Sequence, residues 1–130
     1  MTIVDHLDEA KSPLRCNDAV GVEVWSPTGV SGYDWNQVNI SSIPYSAPLM
    51  WGLPADGSIP LEPYHHVVDG ETQDGLFVGS HGVTTWGIKR AEGRYPYWFF
   101  RLLGPGSEDP VTGERLGEDE HETFIKVLAV

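Results

Sequence analysis

His65 and His66 are the side chains best suited to moving a proton near neutral pH, because imidazole titrates there. Glu71 follows closely and could serve as the carboxylate of an acid–base pair. Such a pair would act on an apolar metabolite held by aromatic rings, with orientation supplying most of the rate. Neighbouring side chains on a strand point to opposite faces, so only one of the two histidines can face an interior. The same alternation argues against both gripping one metal ion. One buried and one exposed histidine, with no chemistry, is the simpler account.

Asp69, Glu71 and Asp74 offer oxygen donors at short spacing, as a hard cation needs. They lack the pattern of a calcium loop, and Asp-Gly pairs are ordinary turn formers. No metal is expected. No cofactor is expected either, since no glycine loop able to cradle phosphate occurs. Gly79-Ser80-His81-Gly82 has turn composition and the wrong spacing for a serine nucleophile. Cys16 is the sole cysteine, so no internal disulfide can form.

Two further groups of residues are suited to binding. The first is aromatic and apolar. Tyr45, Trp51 and Leu53 lie in a proline-rich segment, 44–63, while Trp86, Tyr97 and Trp98 lie on two neighbouring strands. Part of this set must pack a core, and the remainder would line a pocket or a contact surface. The second is the acidic segment 104–121, with Glu108, Asp109, Glu114, Glu118, Asp119 and Glu120 opposed by Arg115 alone. Such a cluster would meet a basic protein surface and speed its approach. Its plainer account is a solvated loop.

The overall charge narrows the partners. Nineteen acidic against eight basic residues give a formal net charge of −11. Nucleic acid is unexpected, since binding it requires Lys and Arg to displace counterions. An anionic membrane surface is unexpected for the same reason. A basic protein partner remains open, as does simple solubility. The first residues lack the basic stretch and apolar run of a signal peptide, so a cytoplasmic location is expected.

At 130 residues the chain is expected to form one domain, 1–130. Segment 1–18 reads as an N-terminal arm, with Thr2 to Lys11 in a short helix that Pro13 stops. Val20, Val22 and Val24 alternate with Glu23 and Trp25, the pattern of a strand. A second strand is expected over 35–43. The prolines of 44–63 remove ladder donors and forbid a regular central strand there. Strands are then expected over 64–68, 76–78, 83–90, 95–103 and 123–130, joined by Asp69-Gly70, Asp74-Gly75 and other turns. The run 97–100 is apolar on both faces and reads as a central strand covered on two sides. The expected class is all-β, a small antiparallel barrel or sandwich of six to seven strands.

Two functions fit these residues. One is a small acidic, non-catalytic binding protein for a protein partner, of the inhibitor, immunity or accessory structural type. The other is a cofactor-free β-barrel enzyme, a cyclase, isomerase or lyase, using His65 or His66 with Glu71. The last strand is apolar on much of both faces, so an edge position there would favour a homo-oligomer.

Overall fold

The computed structural model describes residues 3–4, 13–27, 32–41, 49–51, 58–90, 92 and 97–127, with 3–4, 49–51, 58 and 97 as backbone only. The described residues contain strands and turns and no helix. In chain order the strands are β1 (Ile3–Val4), β2 (Leu14–Asn17), β3 (Gly21–Pro27), β4 (Tyr33–Ser41), β5 (Leu49–Trp51), β6 (Ser58–Pro60) and β7 (Glu62–Tyr64). There follow β8 (Val67–Val68), β9 (Glu71–Thr72), β10 (Phe77–Gly79), β11 (Trp86–Arg90), β12 (Tyr97–Leu102) and β13 (Glu120–Thr123). All the pairings are antiparallel.

One sheet runs β1-β12-β11-β13. A second runs β2-β3-β4-β5, and β6 also pairs with β4. β3 accompanies the first half of β4, from Tyr33 to Gln37, and β6 takes up its end, from Asn39 to Ser41. Leu61 stitches this junction: its N–H donates to Val38 O and its carbonyl accepts from Val22 N–H. β7 pairs with β10, and β8 with β9 through the Asp69-Gly70 turn. Among the described residues no sheet closes into a barrel. The four-stranded sheet ends at β1 and β13 instead of joining them, which corrects the barrel expectation.

The prolines act as expected. Among its described residues, the segment that carries Pro54, Pro60 and Pro63 yields strands of three residues, β5 to β7. The expected strand over 64–68 is broken at His65-His66, where the chain leaves β7 before entering β8. Of the segment read as a helix, Ile3 and Val4 form a strand against Tyr97 and Trp98; the rest lies outside the described residues. β12 is internal in its sheet, between β1 and β11. Yet only one face is covered: Phe100 is buried while Phe99 is 49% exposed, which corrects the expectation of cover on both sides. The strand expected over 123–130 is displaced: β13 runs from Glu120 to Thr123, Lys126 makes an isolated bridge to Phe77, and 128–130 lie outside the described residues. Beyond Phe124 the chain crosses to β10, where Val78 N–H donates to Ile125 O and Val127 N–H to Leu76 O.

The core gathers Val22, Val24, Val38 and Ile40 from one large sheet and Trp86, Phe100 and Leu102 from the other. Leu61 and Val78 complete it. β3 buries Val22, Val24 and Ser26 by strand alternation, with Trp25 half-exposed on the other face.

Gly79 sits where the backbone of β10 passes over Val83. A Cβ there would overlap Val83 O and lie 2.9 Å from its carbonyl carbon. Neither atom belongs to a side chain that can swing aside. Gly79→Ala is therefore expected to lose about 1–3 kcal/mol of stability, read from the midpoint of urea unfolding. An unchanged midpoint would show that the crossing relaxes freely.

Candidate functional site

The acidic segment is organised by one cation. Arg101 on β12 faces Gly87 on β11, and Gly87 in turn faces Glu122 on β13. Glu120, two residues before Glu122, lays its carboxylate across the bare Gly87. A Cβ on Gly87 would stand 2.7 Å from Glu120 Cδ. The missing side chain lets the Arg101 guanidinium grip Glu120 with two bonds, Nη2 to Oε1 at 2.6 Å and Nε to Oε2 at 3.2 Å.

The same guanidinium holds the loop backbone. Arg101 Nη1 donates to Ser107 O at 2.6 Å, and Nη2 donates to Arg115 O at 3.0 Å. Glu120 Oε1 also accepts the Gly117 N–H. Burial pushes the Glu120 carboxyl up. The bond from Arg101, the Gly117 N–H and the charges of Arg101 and Lys89 outweigh it, so the group stays below its ordinary value.

The loop tip has its own order. Asp109 Oδ1 accepts the N–H groups of Val111 at 2.7 Å and Thr112 at 3.1 Å. These bonds hold the Asp109 carboxyl below its usual range. Gly113 N–H returns to Asp109 O, and Asp109 N–H donates to Glu114 O. The first of these bonds closes a five-residue turn over Asp109-Pro110-Val111-Thr112-Gly113, with Gly113 at positive φ. Arg115 pairs with Glu122 at 2.7 Å on the surface. Glu108, Glu114, Glu118 and Asp119 stand exposed around this frame. Of the three acids proposed for binding, Glu118 and Asp119 therefore face solvent, whereas Glu120 serves the internal ion pair.

The two histidines separate, although the chain is out of strand at both. His65 is exposed and His66 is buried. The His66 ring packs in a triangle with Phe77 and Phe124, with centroids 5.0 and 4.9 Å away. Its Nδ1 is 2.6 Å from Thr84 Oγ1, a neighbour that orients the ring. Glu71 is exposed on β9. The hairpin ties His66 O to Gln73 N–H, and none of the hydrogen bonds of the described residues joins His66 to Glu71. The buried histidine thus has the surroundings of a packed ring.

The aromatic candidates divide as well. Trp86 is fully buried, with its indole N–H donating to Val78 O at 2.9 Å, and it belongs to the core. Trp98 is partly buried against that core, with the Arg90 guanidinium 5.9 Å from its ring. Trp51 pairs with Val38 through its backbone, and Tyr97 with Val4. The side chains of both, and Tyr45 and Leu53 altogether, lie outside the described residues. No group of three or more metal-ligating side chains occurs among the described residues. No helix among them is long and apolar enough to cross a membrane.

An aromatic face on the second sheet escapes the sequence reading. Trp25 on β3 sits opposite Trp35 on β4, and their rings meet edge to face at 5.4 Å. Tyr33 stacks near Trp25 at 6.4 Å and 19°. Arg15 on β2 closes the row, its guanidinium 4.3 Å from the Trp35 ring centre. The i, i+2 spacing of Tyr33 and Trp35 was the available signal, but a strand expected to start at residue 35 omits Tyr33. Arg101 escapes too. Its signal was its position as a lone base on an apolar strand, next in sequence to an acidic run.

The chain has no significant match to any protein-family model, curated protein or solved structure. Its class is therefore stated from its own coordinates: an all-β protein of several antiparallel sheets.

Proposed function

We propose that this chain is a non-catalytic binding protein whose acidic loop, 104–122, engages a basic protein partner. The observation that carries this reading is the anchoring of the loop by Arg101. One guanidinium bonds Ser107 O, Arg115 O and the Glu120 carboxylate, so the exposed acids sit on an ordered frame. A loop ordered before contact loses less entropy on binding. Its charge steers a basic partner and lengthens the encounter.

The chain itself would be of the inhibitor, immunity or accessory structural type. The two large sheets share one core, which supports a two-layer sandwich as the scaffold. A cytoplasmic setting suits the single unpaired cysteine.

The test is capture of the tagged protein from its source cell at low and then moderate salt, read by native mass spectrometry. A stoichiometric basic protein should be retained at low salt and shed as salt screens the charges. A triple variant, Glu114→Gln, Glu118→Gln and Asp119→Asn, should retain about a tenth as much or less. Equal retention by that variant would remove the loop from the interface.

A further inference from the structure

We propose that the outer face of β3 and β4, formed by Trp25 and Tyr33 beside Trp35, is a second binding site that takes an arginine side chain of a partner protein. The site is distinct from the acidic loop and stands if the loop reading fails.

Three observations converge on it. The rings are accessible: Tyr33 is 61% exposed and Trp25 38% exposed. Both are large apolar groups on a strand face where the neighbouring Glu23 is buried. The two rings lie within 19° of parallel, so they present flat surfaces in one orientation. A planar guanidinium stacks on such surfaces, whereas a compact ammonium gains less from them.

The chain itself also shows what the row accepts. Arg15 places its guanidinium 4.3 Å from the centre of Trp35. It is held there by Glu23, whose carboxylate receives Arg15 Nη2 at 3.0 Å and Asn17 Nδ2 at 2.8 Å. These bonds, Arg15 first, keep the Glu23 carboxyl below its usual value. The row thus begins with a bound cation at Trp35 and continues to rings, at Trp25 and Tyr33, over which no cation of the described residues stands.

Charge selects the same occupant. Glu23 neutralises Arg15, so the patch adds no positive charge to repel a second guanidinium. The protein as a whole carries −11. A cation over an aromatic ring gains from that field as well as from the ring. A neutral sugar would gain from the rings alone.

The test uses a nona-arginine peptide, with nona-lysine and the neutral oligosaccharide maltohexaose as comparisons. Binding is followed through the indole N–H resonances of Trp25 and Trp35 and by titration calorimetry. Nona-arginine is expected to shift both resonances. Tyr33→Ala is expected to weaken it by roughly two- to fivefold, as loss of one exposed cation–π contact implies. Tyr33→Phe, which keeps the ring, should bind like the parent. The exposure of Tyr33 makes both variants compatible with folding. The triple loop variant should retain the shifts, which separates this site from the loop. Unmoved indole resonances, equal affinity of Tyr33→Ala, equal ring dependence with nona-lysine, or shifts with maltohexaose alone would each overturn the assignment.

Discussion

Trp86→Ala is expected to destabilise the protein by about 3–5 kcal/mol, enough to unfold many domains of this size. The side chain has no exposure and lies where the cores of the two large sheets meet. Removing it opens a cavity that rigid strands cannot refill. It also leaves Val78 O without the indole N–H that reaches it at 2.9 Å. Trp86→Phe separates these effects. It keeps most of the volume and drops the bond, at a cost of about 1–3 kcal/mol. Equilibrium unfolding in urea measures both variants. If the phenylalanine variant matched the parent, the cross-strand bond would contribute nothing and packing alone would explain the position.

Arg101→Met should have a comparable effect of about 3–5 kcal/mol, through charge rather than volume. The Glu120 carboxylate is 9% exposed, and Arg101 is the cation it bonds. Without it a nearly buried charge keeps only the Gly117 N–H and the charge of Lys89, and the carbonyls of Ser107 and Arg115 lose a donor. Limited proteolysis within 104–119 should accelerate in the same variant, since the loop loses its anchor. Glu120→Gln should be milder, because the amide still accepts a bond from the guanidinium.

The pH dependence follows from the same pair. The folded Glu120 carboxyl lies below its ordinary value of 4.5. Its contribution is present above the unfolded value and is lost as pH falls through the folded one. The parent should therefore lose stability more steeply than Arg101→Met as acid is added below about pH 5. Parallel acid profiles would show that the pair carries no linkage. Undiminished stability and unchanged proteolysis of Arg101→Met would show that the loop is held by other contacts.

Much of the fold could be read along the chain because each signal was local. The Val22–Val24 alternation and the Asp69-Gly70 turn depend on residues that are next or nearly next to one another. The opposite fates of His65 and His66 were expected from strand alternation, yet they arise where the chain passes between two strands. What could not be read depends on register between distant strands. Nothing near Gly87 in sequence reveals that Glu120 must lie across it. Nothing near Trp25 reveals that Trp35 sits opposite. Trp86 and Trp98 have similar compositional surroundings, yet one is sealed in the core and the other reaches its edge. Phe99 and Phe100 read alike until β12 is seen to be covered on a single face.

The pairing of Ile3 with Trp98 and of Val4 with Tyr97 sets a constraint on biosynthesis. A nascent chain that has not yet released β12 from the ribosome lacks the strand that pairs with β1 among the described residues. β13 and the crossing at Phe124 come later still, so the four-stranded sheet and its link to β10 cannot form until residue 127 has emerged. Contacts of such long sequence separation form slowly. Intermediates with open sheet edges, the species chaperones hold, are thus inherent in how this chain order is laid out, and they carry the exposed thiol of Cys16 on the β2 edge.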